Sequence, residues 1–138
     1  MAGAQPRCKS GFWWALLSGE QLSKANLTAA NLASANLGLA HLVQTKLTGA
    51  NLTGAHLLAA DLRAADLRHA ILRSADLNQA NLGWADLEEA DLTDARFNKN
   101  DLLRANFSRA RRCRRILLLA HVGTEHPAVG FSQPRGSG

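Results

Sequence analysis

Residues 25–34 read Ala-Asn-Leu-Thr-Ala-Ala-Asn-Leu-Ala-Ser, two successive copies of one five-residue pattern. The pattern continues from Leu22 to Phe107, where every fifth residue, eighteen in all, is Leu or Phe. The residue two places earlier is Ala in fifteen of these copies, and the residue immediately before is Asn or Asp in twelve. The chain is therefore a tandem array of Ala-(Asn/Asp)-Leu-x-x, and self-similarity at a fixed period is typical of a solenoid.

A period of five residues fits neither an α-helix nor a flat strand. On a helix each Leu would be rotated by about 140° from the previous one, and no apolar stripe would form. On a strand successive Leu would point to opposite faces, because five is an odd number. All the Leu can face one axis only if the chain turns a corner once per repeat, and four such corners close a coil of twenty residues.

The repeats at 25–29, 30–34 and 60–64 resemble those of the pentapeptide-repeat proteins, and the resemblance covers residues 20–109. It implies an all-β fold, a right-handed four-sided β-helix of about 4.5 coils with short N- and C-terminal caps. In this fold the Leu, Phe and Ala point inward and the other three positions of each repeat point outward.

We expect an N-terminal tail and cap at 1–19, the β-helix at 20–109 and a third segment at 110–138. Phe12 and Leu17 already keep the fivefold phase, so the array can begin one repeat early. The neighbouring indole side chains either cover the open end of the core or anchor a partner; they belong to Trp13 and Trp14.

The C-terminal segment departs from the repeat. Arg112 falls on an inward position, and burial of an unpaired guanidinium is very costly, so the regular coil should end near Arg109. Residues 110–122 are predicted to form a cap or a short helix, and residues 123–138 are predicted to be disordered.

Positive charge is concentrated outside the array. The whole chain carries +5, whereas residues 18–107 hold eight basic and ten acidic side chains, a net charge of 8 − 10 = −2. The basic tail is a candidate contact for anionic membrane or nucleic acid. The residues proposed for this contact are Arg109, Arg111, Arg112, Arg114 and Arg115.

No catalytic, metal or cofactor site is expected. The sequence contains no recognisable Ser/His/Asp arrangement, phosphate-binding loop or paired carboxylates, so we expect no enzymatic activity. Cys8 and Cys113 lie at opposite ends of the chain and form no zinc motif. The sequence lacks a secretory signal and a membrane-length apolar run, which predicts a cytoplasmic protein.

A coil of twenty residues makes each outward side chain the neighbour of the one twenty positions later. Arg68 should therefore lie beside Glu88, and His69, Glu89 and Arg109 should form a second ladder. By the same rule Trp84 lies beside Arg104, which permits a cation–π contact. Residues 86–94 form an acidic band, interpreted either as solvated outward positions or as a site for a cation or a basic partner.

We therefore predict a non-enzymatic structural or protein-interaction module that binds an unidentified protein, as a monomer or as a homodimer through an end cap. Apolar outward residues are candidates for the partner surface, namely Leu39, Val43, Leu58 and Trp84. The resemblance offers an alternative, since some pentapeptide-repeat proteins imitate DNA and protect type II topoisomerases from quinolones. Those proteins are long, strongly acidic dimeric rods, whereas this array is short and nearly neutral.

Overall fold

The computed structural model of the protein describes residues 16–111. Sixteen parallel bridges each pair a residue with the one twenty positions later, from Leu16–Asn36 to Asp91–Arg111. Four repeats of five residues therefore complete one turn of the coil and give it four faces, which confirms the predicted register. The pairing consists of single-residue bridges, and no longer strand or helix occurs within the described range.

Each face carries one bridge residue per turn of the coil. These residues are Leu16, Asn36, His56, Asp76 and Arg96 on face 1; Gln21, His41, Asp61, Asn81 and Asp101 on face 2; Asn26, Lys46, Asp66, Asp86 and Asn106 on face 3; and Asn31, Asn51, Ile71, Asp91 and Arg111 on face 4. The two turn residues after each repeat Leu or Phe form the corner to the next face, so that corner 2/3, for example, joins faces 2 and 3.

Successive turns of the coil are joined by backbone hydrogen bonds, as the repeat around Leu67 illustrates. The N–H of Leu67 donates to the carbonyl of Asp86 (2.7 Å), and the N–H of His69 donates to the carbonyl of Glu88 (2.9 Å). The N–H of Asp86 donates back to the carbonyl of Ala65 (2.9 Å). Because each turn supplies the partners of the next, the coil is stable only as a stack.

The corners are tight turns with an unusual backbone conformation. The N–H of Ala70 donates to the carbonyl of Leu67 (3.0 Å), which closes the corner between them. The second corner residue has a positive φ at all nineteen positions from Gly19 to Arg109, as in a type II turn. Only three of these residues are glycine, and the position even accommodates Trp84, so the residue types gave no signal of this conformation.

The apolar residues of the repeat fill the interior, as predicted. Every repeat Leu from Leu27 to Leu92 is at most 1 % exposed, and the inward Ala side chains beside them are equally buried. Phe97 and Phe107 take the same inward position nearer the C-terminal end. The first repeats are more open, since Leu17 and Leu22 are only partly buried.

Thr45 and Asn100 replace the inward Ala, and each donates a side-chain hydrogen bond to backbone carbonyls of the preceding turn. Thr45 is fully buried, and its Oγ1 donates to the carbonyl of Leu22 (2.8 Å). Asn100 donates from Nδ2 to the carbonyls of Leu77 (2.5 Å) and Ala80 (2.9 Å). Its Oδ1 is buried and has no hydrogen-bond partner among the described residues. Asn100 is therefore accommodated less completely than Thr45.

The bridge pattern extends slightly beyond both predicted limits of the β-helix. Leu17 and Gly19, from the predicted cap, donate backbone hydrogen bonds to Asn36 and Gly38 as later repeats do, and Arg111 pairs with Asp91. The proposed roles of Trp13 and Trp14, and the cap or helix expected after Arg111, lie outside the described residues. Between residues 16 and 111 there is no helix of the length and apolar character needed to cross a membrane.

Candidate functional site

With the interior filled by Leu and Ala, the chemistry of the described chain lies on its outward surface, where the Asn and Asp side chains serve the fold. All twelve bridge-position Asn and Asp residues accept a hydrogen bond at Oδ1 from the N–H two residues later, at 2.9–3.3 Å. Asn and Asp side chains commonly form such bonds to nearby backbone at turns. They therefore cap the corners, and their recurrence is no sign of a binding site.

Two arginines are held by a carboxylate of their own repeat. Arg63 donates from Nε and Nη2 to the two oxygens of Asp61 (2.7 and 2.6 Å), and Arg68 binds Asp66 in the same way (2.8 and 2.6 Å). These hydrogen bonds are the main reason why the pKa of each aspartate lies below its ordinary value. Both guanidinium groups thus lie along the surface, and the positive charge of each is largely compensated by its aspartate.

The predicted ladders are correct in register and only partly correct in their pairings. Glu88 follows Arg68 on the same corner, but the guanidinium binds Asp66 and approaches Asp86 (4.0 Å), because the carboxylate of its own repeat is nearer. The second ladder is confirmed, since Glu89 lies 3.9 Å from both His69 Nε2 and Arg109 Nη1. No contact between the indole ring of Trp84 and the guanidinium of Arg104 is observed in the described chain, so this cation–π contact stays a prediction.

Much of the acidic band at 86–94 faces basic groups of the neighbouring turns. Arg73 Nη1 lies 3.4 Å from Asp91, and Arg68 Nε lies 4.0 Å from Asp86. The neutral amide of Asn106 also donates to Asp86 (2.9 Å). Burial acts to raise the pKa of Asp91, but hydrogen bonds from Thr93 and the charge of Arg73 outweigh it and lower that pKa. The described residues contain no group of three or more His, Cys, Asp or Glu side chains positioned to hold a metal ion.

A shallow depression lies where the second ladder meets face 4. Its lining combines two arginines, a histidine and two carboxylates with two apolar side chains: His69, Ala70, Ile71, Glu89, Asp91, Arg109 and Arg111. The carboxylates already face cations, and the depression is open to solvent. It therefore lacks the enclosed, water-poor geometry typical of a small-molecule site.

The arginines proposed for an anionic surface are only partly within the described chain. Arg109 is 70 % exposed at its side chain and only loosely paired with Glu89, while Arg111 is exposed at the bridge with Asp91. Both lie near the C-terminal end of the described coil. The other three, Arg112, Arg114 and Arg115, lie outside the described residues.

The proposed apolar partner residues border one face of the coil. Leu39 and Leu58 are 63 % and 45 % exposed, and a backbone hydrogen bond (2.9 Å) joins them across corner 1/2. Val43 and Trp84 lie at corner 2/3, so Val43 is on the opposite edge of face 2 from Leu39 rather than on the same edge. Trp84 is 55 % exposed and pairs through its N–H with the carbonyl of Leu103 (2.8 Å).

Comparisons with known proteins agree with this architecture. The family model described as Pentapeptide repeats matches residues 12–42, 40–79 and 75–111. A pentapeptide repeat protein from the Arabidopsis thaliana thylakoid lumen is 32% identical, with a TM-score of 0.69 over 74% of this chain and 72% of that chain. A comparison with curated proteins gives no match.

Two further solved structures are similar over part of their length. HetL from Nostoc sp. strain PCC 7120, involved in heterocyst differentiation regulation, is 34% identical, with a TM-score of 0.40. The match covers 69% of this chain and about half (54%) of HetL. QnrB1, a plasmid-mediated fluoroquinolone resistance protein, is 13% identical, with a TM-score of 0.34 over 79% of this chain and 73% of that chain.

The family match rests on the residues that build the coil: an inward Leu or Phe, an inward Ala and a corner-capping Asn or Asp, repeated every five residues. These matched segments span 12–111, well over half of the chain. The chain therefore belongs to the pentapeptide repeat family.

Proposed function

We propose that the protein is a non-enzymatic structural or protein-interaction module whose partner binds its outward side chains. The observation that supports this most directly is the filled interior, where the repeat Leu and Ala side chains between residues 27 and 92 are almost completely buried. Between residues 16 and 111, a filled core and a convex surface leave no enclosed site for a small substrate. Most of the variation between repeats lies in outward side chains that a second protein could contact.

Affinity capture tests the proposal. Full-length protein and a chain ending at Arg109 should retain the same partner in similar amounts, because both carry the outward surface of the repeats. A Leu67→Ala variant, which removes a buried core side chain, is the control and should retain less. Substrate binding linked to turnover, or the absence of any retained protein with both chains, would count against the proposal.

Binding of an anionic surface through the basic tail is a second candidate. It is supported by the exposure of Arg109 and Arg111 at the end from which the other arginines continue. Such binding should weaken steeply with added salt, since released counterions drive it. Sedimentation with anionic vesicles and pull-down with DNA separate the two ligands, and binding that survives deletion of residues 110–138 would exclude the tail as the contact.

Imitation of DNA toward a topoisomerase is a weaker proposal for this chain. A DNA mimic needs carboxylates that are not neutralised, whereas Asp61, Asp66 and Asp91 each face an arginine. We expect no protection of gyrase supercoiling from a quinolone, and measured protection would reverse this order of preference.

We also propose the right-handed winding, a length of about 4.5 coils and the capped ends expected from the family. Assembly as a monomer or as a dimer through an end cap, and a cytoplasmic location, belong to the same proposal. The similar Arabidopsis protein comes from the thylakoid lumen, so the location of this protein needs a direct test. Fractionation of the native source would test the location, and light scattering would test the assembly.

A further inference from the structure

Large apolar side chains at the corners of the coil are unevenly distributed. Corners 1/2 and 2/3, the two borders of face 2, carry all five such residues found at turn positions between residues 16 and 111. Corners 3/4 and 4/1 carry none. The five residues are Leu39, Val43, Leu58, Trp84 and Leu103. Because each turn of the coil contributes one pair of corner residues to each edge, this clustering singles out one of four otherwise equivalent faces.

All five lie outside the core, and three of them, Leu39, Leu58 and Trp84, are exposed, whereas Val43 and Leu103 are half-buried. Leu39 and Trp84 are 63 % and 55 % exposed, and both have a positive φ (60° and 58°). The left-handed conformation is unfavourable for a non-glycine residue, and exposed apolar surface gives no burial in return. Two neighbours leave Trp84 exposed, since Gly83 has no side chain and Ala64, in the preceding turn, is small; its neighbour in the following turn is Arg104.

Charge is also segregated on the same two corners. Their charged turn residues are all basic: Lys24, Arg63, Lys99 and Arg104. The acidic turn residues, Glu88, Glu89 and Asp94, lie on the other two corners. Arg63 is bound by Asp61, but within the described residues no carboxylate lies within salt-bridge distance of Lys24, Lys99 or Arg104. The borders of face 2 thus combine exposed apolar groups with uncompensated positive charge.

We propose that face 2, with its two corners, is the docking surface for a protein segment that presents apolar side chains flanked by Asp or Glu. This inference rests on the proposed interaction function and deepens it by naming the surface and the chemistry of the partner. Leu39 and Leu58 on one edge and Trp84 and Leu103 on the other serve as apolar anchors, a role in which exposed Trp side chains are common. Lys99 and Arg104 receive the carboxylates of the segment.

The centre of face 2 favours a protein over a membrane. The bridge residues between the two apolar edges are polar, and they include the carboxylates of Asp61 and Asp101. These carboxylates would repel anionic headgroups and would lose water if the face entered a bilayer. A peptide can instead place polar groups against the centre and apolar groups against the edges.

The test is a selection from a displayed library of random peptides against the full-length chain. An excess of a Leu39→Ser, Trp84→Ser variant is present in solution as competitor, so that only peptides requiring face 2 are enriched. Ile71→Ser is the matched control, because Ile71 is also exposed (38 %) but lies on face 4, on the opposite side of the coil. Circular dichroism checks that each variant keeps the wild-type fold.

We expect the enriched peptides to contain apolar residues next to Asp or Glu. The double variant should bind them at least about tenfold more weakly, as for the loss of an interface anchor, and Ile71→Ser should bind them like the wild type. Arg104→Glu should also weaken binding, which tests the surface without removing an apolar side chain.

The inference is overturned if the selection enriches no peptides or enriches basic ones. It is also overturned if the double variant binds the enriched peptides as tightly as the wild type. Binding of anionic vesicles alone that depends on Leu39 and Trp84 would overturn it as well. A protein captured equally well by wild type and double variant would also overturn it while leaving the interaction function intact. Failure of the interaction function itself would appear as the absence of any captured protein.

Discussion

At the scale of single residues, each repeat separates side chains that build the corner from side chains that are free to vary. The bridge-position Asn or Asp caps the N–H two residues later, as Asn81 does for Gly83 (2.9 Å). The second corner residue takes a positive φ whatever its side chain. Because this conformation is imposed by the stack rather than by the residue, it places local strain at nearly every corner.

We predict that Ala64→Gly stabilises the protein by about 0.5–1 kcal/mol. Ala64 has a φ of 57°, and relief of the left-handed penalty of about 1–2 kcal/mol exceeds the extra chain entropy of glycine, about 0.5–1 kcal/mol. Chemical denaturation measures the difference. Ala33→Gly is the matched control at a corner position without positive φ and should destabilise by about 0.5–1 kcal/mol; a gain there as well would contradict the argument.

At the scale of the repeat and its neighbours, Arg63 and Arg68 bind the aspartate of their own repeat more closely than any carboxylate of another turn. Arg68 binds Asp66 of its own repeat at 2.6 Å, while Asp86 of the next turn lies 4.0 Å away. In the sequence Asp-Leu-Arg, the aspartate and the arginine are two positions apart, and both side chains point outward on the same side of the coil. The charges are therefore largely neutralised locally, and they contribute little to the choice of register.

These pairs predict a specific acid sensitivity. Because the pKa values of Asp61 and Asp66 are lowered in the folded state, their contribution to stability is present above the unfolded pKa of about 3.9. It is lost as the pH falls through the lower, folded values. The double variant Asp61→Asn, Asp66→Asn keeps an amide oxygen to cap each corner but has no charge to titrate.

The free energy of unfolding of the wild type should consequently decrease below about pH 4 more steeply than that of the double variant. Denaturation series at several pH values provide the comparison, with the two proteins measured at the same ionic strength. Equal pH dependence in both would mean that the arginine pairs do not stabilise the folded state.

At the scale of the whole molecule, the coil is held by a continuous core and by backbone bonds between turns. Leu67 is fully buried near the middle of the described chain, and its N–H donates to the carbonyl of Asp86 in the next turn. The same stacking makes the twenty-residue register insensitive to individual outward substitutions. Stability therefore resides in the inward positions, and the outward positions are available for recognition.

Leu67→Ala should destabilise the protein by about 2–5 kcal/mol, because a cavity forms in a core that has little freedom to collapse. Leu16→Ala is the control, since Leu16 is 81 % exposed and its truncation should change stability by at most about 0.5 kcal/mol. Denaturant midpoints of the two variants measure the contrast. Similar losses for both would mean that burial of the repeat Leu does not govern stability.

The sequence by itself determined the coil, because only one geometry lets a Leu at every fifth position face a common axis. The twenty-residue coil also predicted the ladder of His69, Glu89 and Arg109, and the family resemblance predicted the inward Ala. The tertiary structure decided what depends on exact distances and backbone angles. It revealed the positive φ of the corners, and it showed that Arg68 prefers Asp66 to Glu88. Periodicity specifies which residues share an edge, whereas pairing and strain depend on where the side-chain atoms lie in three dimensions.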